Sequence, residues 1–197
     1  LVKEVIEQET LPLPDFIICS VGTQIYYTNG KDYILDKGWS TFLGGRWKRE
    51  HSVKRLKGIS CWKMQEEEAQ NPFKVSYYYE EEKYNHEQLI KVLGDIWYKV
   101  NIIPSHGEFI DFLPKRASKG NAIKFLCHKW AIPLSSVLAA GDSGNDIDMF
   151  RAAIKGIIVG NRSAELADYE TTKNIYVAKS PASSGILEGL KYYKVIK

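Results

Sequence analysis

Val137-Leu138-Ala139-Ala140-Gly141-Asp142-Ser143-Gly144-Asn145-Asp146-Ile147-Asp148-Met149-Phe150 decides how the 197-residue chain is read. Its five leading residues are small or apolar and run straight into a polar loop, which runs into a helical pattern. An apolar run of this length, ended by turn chemistry, predicts a strand buried on both faces of a parallel sheet. Asp142 then stands at the strand's C-terminal end, where open α/β sheets bind their ligands. Gly144 permits the sharp turn, and Asn145 or Asp146 opens the helix. Ile147, Phe150 and Ile154 follow at helical spacing, on the side expected to face the sheet. A turn, not a shared helix face, therefore brings Asp142 and Asp146 together. Caps and turns are the ordinary work of Asp beside Gly. Two carboxylates at a sheet's mouth also suit a hard cation such as Mg²⁺, with substrate phosphate and water completing its octahedron.

Outward from this stretch the chain alternates strands and helices, which implies right-handed crossovers and a parallel sheet. Upstream, Ser118 is a good N-cap, and Ala122, Ile123, Leu126 and Trp130 form a helical stripe. Downstream come Ile157-Ile158-Val159 as a buried strand, a short helix near Ala164–Leu166, Ile175-Tyr176-Val177 as a strand, and a helix from Gly185 to Tyr192. Near the start, a helical pattern gives way at Leu11-Pro12-Leu13-Pro14. Phe16–Val21 then reads as a second buried strand, with Gly22 and Thr23 at the same sheet edge as Asp142. Asn29-Gly30 is a strong hairpin turn.

Between about Gly38 and Phe112 the texture changes. Trp39, Phe42, Leu43, Trp47, Val53 and Leu56 predict amphipathic helix, with Lys48, Arg49, Lys54, Arg55 and Lys57 on the wet side. Phe73–Tyr79 predicts an alternating, aromatic-rich strand. His86–Lys99 predicts a helix, and Val100–Ile103 with Glu108–Phe112 two strands. The expected organisation is a Rossmann-like α/β core over residues 1–37 and 113–197, with an inserted α+β cap over 38–112.

Composition excludes several classes. Hydrophobic residues make up 44% and charged residues 26%, as in ordinary globular proteins. A net charge of +3 is too small to indicate a nucleic-acid or membrane surface. No apolar stretch reaches transmembrane length. Cys19, Cys61 and Cys127 are odd in number and widely spaced, which points to a reducing, cytoplasmic compartment. The four histidines have no metal-ligand spacing.

Arg116-Ala117-Ser118-Lys119-Gly120-Asn121-Ala122 is the second informative string. It puts Lys119 in the first turn of a helix, where free amides and the dipole already favour anions. A cation is mildly unfavourable there, so Lys119 is expected to neutralise a phosphoryl oxygen and a neighbouring carboxylate.

The Gly141–Asp146 string resembles the fourth motif of haloacid-dehalogenase-like phosphatases. Taken with Pro14–Tyr26, Asn71–Tyr77 and Ser118–Ala122 in that order, the chain resembles the sucrose-6-phosphate phosphatase family over nearly its whole length. That resemblance implies a Mg²⁺-dependent hydrolase of a sugar phosphate, sucrose-6-phosphate, working through an aspartyl-phosphate. Lys119 becomes the phosphate-neutralising lysine, while Asp142 and Asp146 become the metal ligands. Gly22 and Thr23 line the core side of the substrate pocket. Gln24, Lys74, Tyr77 and Asn145 become candidate substrate contacts, although family members often carry Glu where Gln24 stands. The family's nucleophile lies in an Asp-x-Asp motif on the first core strand, expected to precede Leu1 together with the second strand. Asp111 is expected to orient Lys119 or meet the substrate. The alternative is a non-catalytic phosphatase-like domain of a sucrose-phosphate synthase, which is also the expected partner in the enzymatic reading.

Overall fold

The computed structural model describes residues 2–30, 32–83, 85–151 and 155–197. The expected sheet-facing place of Ile154 lies outside them.

After helix α1 (Val2–Gln8) come strands β1 (Phe16–Cys19), β2 (Gln24–Thr28) and β3 (Tyr33–Leu35), which form an antiparallel sheet in that order. The expectation of a doubly buried parallel strand over Phe16–Val21 is corrected here. β1 pairs antiparallel with β2, and of its four residues only Ile17 is fully buried. Ser20, Val21 and Gly22 adopt φ of 50°, 57° and 84°, which reverses the chain before a fifth extended residue can form. The Asn29-Gly30 turn behaves as its chemistry predicts. Gly30 has φ 92°, and the Asn29 side chain accepts the Asp32 amide at 2.8 Å.

The amphipathic pattern from Trp39 to Leu56 divides into α2 (Lys37–Gly44) and α3 (Arg49–Leu56). Asp36 caps α2 by accepting the Trp39 amide at 3.0 Å. Trp39 and Leu43 pack with Ile25, Leu113, Ala117, Ala122 and Leu126. Helix α2 thus faces the core side, and the change of apolar environment falls in the 45–48 connection.

Strands β4 (Lys63–Met64) and β5 (Val75–Tyr78), helix α4 (His86–Leu93), and strands β6 (Val100–Ser105) and β7 (Phe109–Pro114) complete the inserted layer. Its sheet is antiparallel, in the order β4-β5-β7-β6. Helices α3 and α4 cover one face, over Leu56, Val75, Tyr77, Leu89, Leu93, Ile110 and Phe112. Ser76 on the opposite face is buried as well, so β5 is covered on both sides and its period-2 pattern does not mark a wet face. The long helix expected to Lys99 stops at Leu93, because Gly94 takes φ 52°; a 3₁₀ segment continues to Lys99.

The chain then forms α5 (Lys119–Lys129), β8 (Leu138–Gly141), α6 (Ile147–Phe150), β9 (Lys155–Ile158), β10 (Ile175–Val177) and α7 (Ala182–Tyr192). β8, β9 and β10 are parallel, in the order β10-β9-β8, with Ala139 opposite Gly156. Among the described residues β8 pairs with β9 alone. One of its edges is open, and of its four residues only Ala139 is fully buried. The strand expected to be covered on both sides is therefore an edge strand here.

Candidate active site

The loop after β8 is held by its own carboxylate. Asp146 Oδ2 accepts the Asp142 amide at 3.0 Å and the Ser143 amide at 3.4 Å, closing a capping box with Ser143. Its other oxygen, Oδ1, lies 2.6 Å from Lys119 Nζ. Lys119 also donates to Asn145 Oδ1. Both oxygens of a buried carboxylate are thus engaged, one by the loop and one by the first residue of α5. The sequence reading gave Asp146 a share of the metal; its geometry assigns it first to holding the loop and aiming Lys119.

Asp142 differs. Its backbone is fixed by its amide bond to Asp146 and by the Ser163 amide, which donates to its carbonyl at 2.7 Å. Among the described residues, no hydrogen bond or ion pair is recorded for its half-buried carboxylate. It lines a 350 Å³ cavity with Asp146, Asn161 and Ser183. A half-buried, unpaired carboxylate at the C-terminal end of a strand fits Mg²⁺, which takes one or two carboxylates and fills its remaining positions with water and phosphate. No cluster of three acidic, histidine or cysteine ligands occurs among the described residues, so an all-protein cage is not the arrangement here.

Two neighbours that the sequence reading missed support the loop. Glu165 Oε2 accepts the Gly144 amide at 2.7 Å and the Ser163 hydroxyl at 3.0 Å. Asp148 accepts the Ser118 hydroxyl, tying α6 to the start of α5. Neither carries a sequence signal, since both pairs are closed by tertiary packing across 21 and 30 residues.

Gly22 joins the site from the other sheet. A Cβ on Gly22 would lie 2.3 Å from the Ser118 carbonyl carbon and 2.5 Å from the Lys119 amide nitrogen, so the turn after β1 rests against the start of α5. Thr23 is buried, donates to the Ser20 carbonyl at 2.8 Å and accepts from Asn71 at 3.0 Å. That second bond links this turn to the inserted layer. Gln24 accepts the Ser20 hydroxyl at 3.1 Å, which occupies its side-chain oxygen within the turn.

Lys74 and Tyr77 do not converge. Register pairs Ser76 with Asp111, and Asp111 with Ile103, so these share the sheet face that packs toward α2 and α5. On that face Asp111 accepts the Ser76 hydroxyl at 2.5 Å and lies 3.5 Å from Lys74 Nζ. Asp111 therefore pairs with Lys74, and the expectation that it orients Lys119 is corrected. Tyr77 points to the opposite face, packed among Trp62 and Phe112. Burial raises its hydroxyl's pKa, and no hydrogen-bond partner is found for that hydroxyl among the described residues. Between β6 and the acidic loop lies a 220 Å³ cavity lined by Asn101, Pro104, Asn145, Asp148 and Glu165, among others.

The chain is 32% identical, with a TM-score of 0.87, to a sucrose phosphatase from Synechocystis solved with sucrose and phosphate, covering 98% of this chain and 80% of that one. A probable sucrose-phosphatase of Arabidopsis thaliana is 33% identical over 99% of this chain and 48% of its own length. The mannosylfructose-phosphate phosphatase of Agrobacterium fabrum is 30% identical over 95% of this chain and 76% of its own. The chain spans about half the length of the plant sucrose phosphatases it matches. Its architecture is that of the haloacid-dehalogenase-like phosphatases with a cap. The profile of Sucrose-6F-phosphate phosphohydrolase matches residues 1–194, and the chain belongs to that family.

Proposed function

We propose that this chain carries the metal- and phosphate-handling part of a phosphoric monoester hydrolase acting on sucrose-6-phosphate. The observation that carries the reading is the convergence of Lys119, Asn145 and Asp146 beside the unpaired carboxylate of Asp142. Mg²⁺, held by Asp142, would supply charge neutralisation on the transferring phosphoryl group. Lys119 supplies a second positive charge, and its bond to Asp146 fixes that charge before substrate arrives. Asp146 remains an acceptor throughout, so the loop keeps its shape while Asn145 and the exposed part of Lys119 meet phosphoryl oxygens.

Hydrolysis through a covalent intermediate needs a carboxylate in line with phosphorus. The nearby candidates within the chain have other work. Asp148 accepts from Ser118, Asp111 is engaged by Ser76 and Lys74, and Asp15 is exposed at the far end of β1. We therefore assign the nucleophile to a segment outside these 197 residues, paired on the open edge of β8. Its carboxylate oxygen bonds to phosphorus as the bond to the sugar oxygen breaks, with a proton passing to that oxygen. Water then cleaves the aspartyl-phosphate.

The cap is residues 38–112, with α2 packing on the core at its base and the Lys74–Asp111–Ser76 face turned toward the substrate. Closure of such a layer excludes water and selects the sugar. Among the described residues the three cysteines form no disulfide, which suits a cytoplasmic setting. No helix among the described residues is long and apolar enough to cross a membrane. Beyond the substrate, the proposed partner is a sucrose-phosphate synthase, whose reaction makes the ester consumed here.

Phosphate release from sucrose-6-phosphate with Mg²⁺ tests the reading. The natural polypeptide extended upstream should turn over, and these 197 residues alone should not. Comparable turnover by both would remove the external nucleophile; none by the extended form, with Mg²⁺ present, would remove the activity.

A further inference from the structure

Away from the acidic loop, two cavities meet at the hinge between the inserted layer and the core. One, of 250 Å³, is lined by Arg46, Trp47, Lys48, His51 and Lys99, among others. Its neighbour, of 170 Å³, shares Arg46, Trp47 and Lys99 and adds Tyr98, Lys115 and Arg116. Five lysines and arginines therefore line one continuous cleft, and no carboxylate lines either part. Among the described residues none of the five has an ion pair. Arg116 instead stacks over the Phe42 ring at 4.7 Å, and Lys99 lies over Tyr98 at 5.2 Å. The nearby Arg55 does find a carboxylate, Asp95 at 2.6 Å, so acids are available on this side of the molecule yet do not enter the cleft.

Concentrating like charges without counter-charge is unfavourable within a Debye length, and here it coincides with a concave, aromatic-walled space. Clefts lined by one sign of charge focus the field and gather the opposite ion. The net charge of the chain is only +3, so the cleft is a local feature and not the sign of a generally basic protein. We infer that this cleft is a second anion-binding site, separate from the Lys119 pocket, that takes a small, multiply charged phosphate compound.

The cations come from three segments: the α2–α3 connection, the 3₁₀ turn before β6, and the return link from β7 to α5. A polyphosphate bound to all three ties the cap's base to the core, as the Lys115 amide already does by donating to the Lys99 carbonyl at 2.8 Å. Concavity favours a small anion over a nucleic acid. A duplex or single strand needs cations in a stripe along its backbone, and of the α3 cations outside the cleft Arg55 is already paired with Asp95.

The test is calorimetric titration of the full chain with tripolyphosphate in metal-free buffer. Three variants accompany it: Arg46→Gln/Lys99→Gln/Arg116→Gln, the exposed single Arg46→Gln, and Lys119→Gln. The triple variant should lose about tenfold or more in affinity, and the single variant a smaller part of that, because each substitution removes one charge-assisted contact. Lys119→Gln should bind within about twofold of wild type. Thermal melts check that each variant is folded; if the triple variant is not, Arg46→Gln decides alone. Binding unchanged in the decisive variant would overturn the inference, as would its loss only in Lys119→Gln or its absence in the wild type. A titration with single-stranded oligonucleotides serves as the competing arm. Affinity that rises with their length and exceeds that for tripolyphosphate would overturn the small-anion assignment.

Discussion

Lys119 and Asp146 stand 27 residues apart in sequence, and their charged atoms meet at 2.6 Å. The same carboxylate closes the loop that presents Asp142, so the placing of the cation and of the carboxylate proposed to bind metal is one geometric event. Asp146→Asn breaks it whichever way the amide is turned, because its NH₂ must face either Lys119 or the Asp142 and Ser143 amides. Loss of about 1–3 kcal/mol in urea unfolding is expected. A coupling energy with Lys119→Met in a double-mutant cycle should accompany it. An Asp146→Asn protein as stable as wild type would show that the loop holds itself without this carboxylate.

Asp142→Asn should behave differently, because the Asp142 carboxylate has no recorded protein partner to lose. Stability is expected to stay within about 0.5 kcal/mol of wild type. In a catalytically complete form, Mg²⁺ affinity should fall by about 100-fold, with turnover falling beside it. Calorimetry with Mg²⁺ reads the affinity directly, and an unchanged isotherm would move the metal elsewhere.

Gly22→Ala tests the contact between the two sheets' loops. The residue has φ 84°, and the new Cβ would sit 2.3 Å from backbone of Ser118. Gly30 has a comparable φ of 92° and open space around it. Both substitutions meet the left-handed cost of about 1 kcal/mol, but Gly22→Ala must also push α5 away, for about 2 kcal/mol or more in total. Equal destabilisation of the two variants would mean that the close approach of Gly22 to α5 carries no energy.

Lys74→Ala should separate sugar selection from phosphoryl chemistry. It leaves Asp111 buried with Ser76 alone on the face turned toward the proposed substrate space. For sucrose-6-phosphate KM should rise about tenfold, while cleavage of a small aryl phosphate should change by less than about twofold. Equal losses on both substrates would place Lys74 outside the sugar contacts.

Acid should weaken the hold of Glu188 on the C-terminal segment. Its carboxylate accepts the Lys179 and Ser180 amides and the Tyr176 hydroxyl, and these bonds, led by that from Lys179, lower its pKa from 4.5 to about 2. A depressed folded value means that the stabilisation is complete above the unfolded pKa and fades as pH falls toward 2. Melting temperature should therefore decline between pH 4.5 and 2 more steeply in wild type than in Glu188→Gln. Parallel declines would assign acid lability to other groups.

Much of this was legible in local sequence. The string Gly141–Asp146 carries its own turn chemistry, and Ser118 caps α5 by accepting the Asn121 amide as its spacing predicts. The strand before Asp142 and the helix after it are decisions made within a few residues, whereas Gly144 has no positive φ and is kept small by the Glu165 carboxylate, 2.6 Å from where its Cβ would stand. Such short-range pairs read well because no distant partner is needed to complete them. The parallel pairing of β8, β9 and β10 likewise follows from alternating strands and helices.

The rest needed the third dimension. Phe16–Cys19 is apolar enough for a buried parallel strand, but positive φ at Ser20, Val21 and Gly22 folds it into a hairpin, and apolarity alone does not encode strand direction. Lys74 and Tyr77 looked like companions, yet an odd separation in a strand puts them on opposite faces, one with Asp111 and one in the cap's apolar centre. Glu165 and Asp148 became support for the loop only when packing brought Gly144 and Ser118 to them. Sequence by itself determined which residues are proposed to bear the chemistry, because charge and turn propensity are properties of single residues and short strings. Tertiary structure decided which of them touch, because a hydrogen bond exists only where two distant segments are packed to within about 3 Å.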